Sequence, residues 1–336
     1  MRRLYSFFLI SALAVTFAQA TSVDHWMKSA EQKLAEGNTM GAVKDYTAAL
    51  AINPNFTPAL VGRGVVYAEL ETYEVAVKDF TRALEIDTDL PEAMFNRAFA
   101  YRQMGYKALA IQDLEKYVQR VPSDPEGHLT LAEMQFDLGR TDAARSSLQR
   151  FVAITPVKPM GYVSRGEAWL LLKDTAKAMS DFEKAISLDP TNHFAYYERG
   201  SVHYSRGKYQ EAILDLSIYL MNEENDGEAW FMRGESYARE NMYDAAVADY
   251  SKAIQFYPDL AVLYFDRGFF NLMLEKNQEA LEDLNKAKAL NYPDQEILQY
   301  NIGIASYRLG QSTVACNCWK QAGDLASDYQ GKYCPR

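Results

Sequence analysis

Cysteine is almost missing from this chain. Only Cys316, Cys318 and Cys334 occur in 336 residues, all near the carboxy-terminal end, so neither a disulfide framework nor a cysteine-rich zinc site can organise the body of the fold. Histidine is nearly as scarce. His25, His128, His193 and His203 are scattered, and none has the i, i+4 partner or the cysteine company of a metal site. The glycine-rich loops that cradle phosphates and the G-x-S-x-G elbow that presents a serine nucleophile are also lacking. Glu223 and Glu224 are adjacent acids in a turn, where solvation explains them better than acid–base chemistry. The expectation is a protein that is not an enzyme, with no catalytic residues, no metal and no cofactor.

Positive charge is in deficit too: 35 Lys and Arg stand against 45 Asp and Glu. Such a balance argues against nucleic acid or an anionic membrane as the main partner. The one long apolar run, Leu4 to Phe17, follows Arg2 and Arg3 and precedes Ala18-Gln19-Ala20. It is shorter than the roughly 20 residues of a membrane span and has the layout of a secretory signal. Residues 1–20 are therefore expected to be removed on export, with no stable membrane insertion afterwards. An extracytoplasmic space permits disulfides.

What the sequence has in abundance is a period of 34. From Gly227 to Leu260, Trp230, Gly234, Tyr237, Ala246, Tyr250, Ala253 and Pro258 follow W-x3-G-x2-Y-x8-A-x3-Y-x2-A-x4-P. Units in the same register begin near Val23, Thr57, Pro91, Pro125, Pro159, His193, Gly227, Ala261 and Glu296. The Ala246 position is alanine in all nine, the other eight being Ala42, Ala76, Ala110, Ala144, Ala178, Ala212, Ala280 and Ala315. The Gly234 position is always Gly or Ala. Proline, which cannot donate a backbone bond and crowds the turn before it, closes most units. Each unit reads as two amphipathic helices, neither able to bury its apolar face alone.

This pattern resembles the tetratricopeptide repeat (TPR) family over nearly all of residues 23–327. The resemblance implies an all-α fold, a right-handed α-solenoid of about nine helix-turn-helix units spanning residues 21–327, with a carboxy-terminal cap in residues 328–336. It also implies a concave face, lined by the first helices, that holds an extended protein or peptide. The segment Cys316-Asn317-Cys318-Trp319 and the ending Lys332-Tyr333-Cys334 resemble the tails of exported TPR proteins of the Bacteroidetes, which implies a periplasmic location, with secretion to the outside as the alternative.

A covariation runs between the units. Arg63, Arg97, Arg165, Arg199, Arg233 and Arg267 occur in the six units that carry Asp79, Asp113, Asp181, Asp215, Asp249 and Asp283. The fourth unit has Leu131 and Ser147 instead, the ninth Ile302 and Cys318, and Asp45 in the first stands without its Arg. The expectation is a bidentate pair between the two helices of each of the six units; the alternative is an Arg ladder for an acidic ligand.

On the first-helix face, Tyr197, Tyr204, Phe231, Phe265, Phe269, Tyr300 and Tyr307 form an expected aromatic lining, the composition of binding hot spots. The same rings could serve only to pack helix on helix. The functional expectation is a protein- or peptide-binding scaffold using that lining. The alternative is an accessory subunit of a secretion or envelope-assembly machine that tethers proteins through the array. The fourth unit, lacking its charge pair and carrying Gly127, His128 and Arg145 at unfavourable positions, is expected to interrupt the array between about Pro125 and Pro159.

The last unit needs a cover for its apolar end, and the chain left to provide it is the tail from Ser327. If Tyr329 and Tyr333 lie over that end, Cys334 approaches Cys316, and Cys318, about 200° around the helix, faces away, free or paired to another molecule. A Cys318–Cys334 bridge and three reduced thiols remain the alternatives.

Overall fold

The structure, a computed structural model, describes residues 23–334; the expected signal segment lies outside them. Helices account for nearly all of it, and among the described residues there is no strand. It divides into two compact units, one ending at Thr155 and one beginning at Pro156. The division falls within the stretch expected from the weak fourth repeat.

The first unit holds four helix pairs: α1 (23–35) with α2 (Thr39–Ile52), α3 (Thr57–Glu69) with α4 (Tyr73–Ile86), α5 (Pro91–Gln103) with α6 (Lys107–Arg120), and α7 (Pro125–Asp137) with α8 (Thr141–Ala153). The second holds five: α9 (Pro159–Leu171) with α10 (Thr175–Leu188), α11 (His193–Ser205) with α12 (Tyr209–Leu220), α13 (Gly227–Arg239) with α14 (Tyr243–Phe256), α15 (Ala261–Met273) with α16 (Asn277–Ala289), and α17 (Gln295–Arg308) with α18 (Ser312–Gln321). A 3-10 turn at Gly323–Ala326 then leads to α19 (Ser327–Tyr333).

The periodic small residues show why the pairs form. All nine alanines of the Ala246 position are completely buried, at the line where the two helices of a pair come closest. Opposite, a side chain on Gly166 or Gly303 would lie 2.3 Å from the ring of Phe182 or Trp319 on the second helix. No Cβ fits there, so each glycine yields its space to a ring that fills the pair.

Every pair turns through one residue of positive φ, from Gly37 to Gly310. In each turn the amide of the residue after it reaches back five residues, as from Asn38 to the carbonyl of Lys33 and from Tyr106 to that of Tyr101, which satisfies carbonyls left open at the helix end. Five of these positions are glycine, the residue that adopts positive φ without steric cost. The others are Glu71, Lys173, Asn241 and Glu275.

Within each unit the first helices form the inner layer. In the first unit α3 touches α5; in the second α9 touches α11, α11 touches α13 and α15 touches α17. Among the described residues, no second helix packs comparably on the second helix of the next pair. The first-helix side is therefore the concave side of each unit. Among the described residues, no helix is long and apolar enough to cross a membrane.

Candidate functional site

The charge pairs come first, because they fix the first helices on which any groove depends. All six pairs are present, and each is bidentate: Arg233 donates from Nε to Asp249 Oδ2 at 2.7 Å and from Nη2 to Oδ1 at 2.9 Å. Arg63, Arg97, Arg165, Arg199 and Arg267 hold their aspartates in the same way. The aspartates are buried. Burial alone would favour the neutral guanidinium of Arg233, but the bonds it donates to Asp249 outweigh that and raise its pKa. Its guanidinium also lies over the rings of Trp230 and Tyr237.

The third donor of the fork was not anticipated. Nη1 of Arg63, Arg97, Arg233 and Arg267 reaches a hydroxyl on the preceding pair, that of Thr47, Thr81, Ser217 and Ser251. One Arg thus joins three helices, its own two and the second helix before. The sequence did hold a signal for this: each hydroxyl stands two residues after the aspartate position and 16 before its Arg.

In two of the three pairs that lack the Arg, a residue four positions further along the first helix takes over. Lys33 meets Asp45 at 2.6 Å, with Ser29 donating to the same oxygen, so Asp45 is paired after all. In the fourth pair Ser147 donates to Gln135 at 2.9 Å, a neutral substitute. In the ninth, Ile302 and Cys318 form an apolar contact region with Leu284 and Leu298.

The seven rings of the expected lining do not share one fate. Phe265 is buried, stacked on Tyr292 with centroids 4.2 Å apart; its place on an open lining is corrected, because Tyr292 from the turn after α16 folds over it. Tyr300 lies edge-on to Tyr329, and Tyr307 packs on Trp319 and Tyr333. Both pack against the cap, Tyr300 half-buried and Tyr307 still exposed. Tyr197 leans on Tyr219, Tyr204 on Tyr209, Phe231 on Tyr250 and Phe269 on Phe270, yet all four remain half-buried. All four stand on the first helices of repeats six to eight.

Carboxylates accompany these rings. Burial, reinforced by Glu167 and Glu228, pushes Glu198 up to about 7. Burial and Glu235, partly offset by Arg239, push Asp266 up to about 7 as well. Glu235 accepts a bond from Tyr250 Oη at 2.8 Å and one from Arg239 Nε at 2.9 Å. The face is aromatic and acidic, and it resists full ionisation near neutral pH. Among the described residues, no three His, Cys, Asp or Glu side chains are placed to hold a metal ion.

The tail closes the ninth pair. Cys316 and Cys334 are bonded, with Cα atoms 5.6 Å apart. Tyr329 and Tyr333 cover Trp319, which is wholly buried, and Gln330 Nε2 donates to the carbonyls of Trp319 and Gly323. Cys318 is free, and its burial raises the thiol pKa; a bond from it to another molecule has no access.

The tetratricopeptide repeat family matches the chain over residues 28–91, 95–159, 129–193, 182–214 and 227–260. The chain is a TPR protein. No curated protein matches it. Among solved structures, the fold is similar to the C-terminal part of a TPR repeat-containing protein from Cytophaga hutchinsonii, at 18% identity and a TM-score of 0.53, covering 71% of this chain and 96% of that one. It is also similar to the APC/C hetero-tetramer Cut9-Hcn1, at 16% identity and a TM-score of 0.51, covering 80% of this chain and about half (52%) of that one. These likenesses concern the fold. TPR arrays mediate protein–protein interactions and are typically non-catalytic, and this TPR chain has the corresponding architecture: an all-α solenoid whose inner helices are clamped in register and whose end is covered.

Proposed function

We propose that this TPR protein is a non-enzymatic scaffold of an extracytoplasmic compartment, the periplasm, that holds an extended segment of a partner protein along the concave face of repeats six to eight. The observation that carries the reading is the row of half-buried rings, Tyr197, Tyr204, Phe231 and Phe269, on first helices clamped by Arg199, Arg233 and Arg267. Rings held on rigid helices give contact area at little cost in side-chain freedom. The acidic surroundings disfavour nucleic acid. The compartment is inferred from the signal-like residues 1–20 and from the bond between Cys316 and Cys334, of the kind that persists in oxidising spaces.

The test is affinity capture from the native envelope with the wild-type chain and a Tyr204→Ser, Phe269→Ser variant. Capture of a defined partner that the variant loses, with unchanged circular dichroism, supports the reading. Equal capture by both places the contact elsewhere on the array.

A further inference from the structure

A recess of about 430 Å³ opens on the concave side of the first unit, where α1, α3 and the start of α5 meet over Tyr46. Its position follows from one residue. Gly62 occupies the place where the later repeats carry Asn96, Thr130, Ser164, Glu198, Met232 and Asp266, and a Cβ there would lie 2.7 Å from the Tyr46 ring. The missing side chain lets the ring lie against α3 and leaves open the space that the other repeats fill. Met27, Val61 and Leu90 give the recess apolar walls, and Glu31 and Glu92 stand exposed at its rim. No Lys or Arg lines it.

Tyr46 has a further peculiarity. Its counterpart in the seventh repeat, Tyr250, donates its hydroxyl to Glu235. The first repeat carries Glu31 at the position of Glu235, yet among the described residues Tyr46 Oη has no hydrogen-bond partner, although the residue is only 4% exposed. The oxygen itself is open to the recess, where a donor from a ligand can reach it. The carboxylates of Glu31, Glu69 and Glu92 act on it and, after burial, help to raise its pKa, so the field at this atom is negative.

We infer that the recess is an anchor for a lysine side chain of a partner polypeptide. An ammonium offers three donors and accepts none. The recess offers three acceptors, Tyr46 Oη within and the Glu31 and Glu92 carboxylates at the mouth, while the methylene stem lies along Met27, Val61 and Leu90, as lysine stems do on apolar surface. A carboxylate or phosphate would meet only negative charge. An uncharged alkyl chain would fill the walls and leave the hydroxyl unpartnered. The volume lies within the ordinary range for small-ligand sites, about 300–1,000 Å³. The opening faces the concave side, so the lysine arrives on a chain lying across the first helices. This site lies in the other unit from the aromatic face, and neither reading depends on the other.

The probe is the blocked tripeptide acetyl-Gly-Lys-Gly-amide, titrated into the full chain while the methyl signals of Met27 and Val61 are followed by NMR. The lysine peptide is expected to shift both signals, and its norleucine counterpart, which lacks the charge, is not. Tyr46→Phe keeps the ring and the fold and is expected to weaken binding about tenfold, as for a hydrogen bond to a charged group. Glu31→Gln and Glu92→Gln are each expected to weaken it about fivefold, from unit charges about 4 Å apart in a water-like medium. Equal response to the norleucine peptide, or unchanged binding by Tyr46→Phe, overturns the assignment. Binding of free pentane-1,5-diamine without binding of the lysine peptide also overturns it, since the recess then serves a small amine.

Discussion

Asp266→Asn should stabilise the protein, and only where the carboxylate would be charged. In the folded chain Asp266 titrates at about 7 against an ordinary value of 3.8, owing to burial and to Glu235. A carboxylate whose folded pKa is raised makes its full contribution to stability below the unfolded pKa and loses it as pH rises to the folded one. Wild-type stability from this group is therefore highest near pH 4, falls between pH 4 and 7, and is flat above. A shift of about three units corresponds to a ceiling of roughly 4 kcal/mol at about 1.36 per unit. Asp266 keeps part of its surface in water, and measured effects at such sites are smaller, so the expected gain is about 1–2 kcal/mol at pH 8. For a chain of this size that is a rise in Tm of about 1.5–3 °C. Urea or thermal unfolding of both proteins at pH 4 and pH 8 measures it. The same gain at both pH values, or a loss at pH 8, would refute the electrostatic argument.

Four other outcomes follow from the same geometry. Arg233→Ala leaves Asp249 buried and alone and should cost about 3 kcal/mol; in a double-mutant cycle with Asp249→Ala, unfolding energies should be strongly non-additive, and additivity would deny the pair. Cys334→Ser removes a loop closure worth roughly 3 kcal/mol, and should lower amide-exchange protection in α18 and α19 while leaving α13 and α14 unchanged. Cys318 should resist alkylation in the native oxidised protein and react as a single thiol after unfolding. Glu71→Gly, Lys173→Gly and Glu275→Gly relieve a positive φ and should each raise stability by about 1 kcal/mol in chemical denaturation.

Much of this fold could be read from the sequence because its rules were stated six to nine times. The alanine at the Ala246 position is conspicuous only in repetition, and the joint presence of Arg and Asp in six repeats acts as an alignment within one chain. Single occurrences were harder. Lys33 replaces the missing Arg from a different position on the helix, so comparison of equivalent positions passed it by. The hydroxyls of Thr47, Thr81, Ser217 and Ser251 were overlooked because a charge points first to the opposite charge, whereas the fork of an Arg also bonds neutral oxygens. The aromatic lining was legible as a helical face, but a face does not reveal what folds back onto it: Tyr292 covers Phe265, and the tail packs on Tyr300 and on one side of Tyr307. Nor could the Tyr46 recess be foreseen, since it is made by what Gly62 omits.

The Arg clamp also bears on how such a chain can change its length. Arg233 finds its hydroxyl 16 residues before it, in Ser217, and its carboxylate 16 residues after, in Asp249; Arg267 does the same with Ser251 and Asp283. The clamp is thus written in a frame that closes on itself every 34 positions. Cut the chain at two equivalent points in the sixth and seventh repeats and rejoin it, and each remaining Arg still meets a carboxylate 16 positions downstream. Whole repeats can be gained or lost here by unequal recombination without leaving a charge stranded, whereas a deletion of any other length strands one at once. The reading frame of the repeat is guarded by electrostatics as well as by packing.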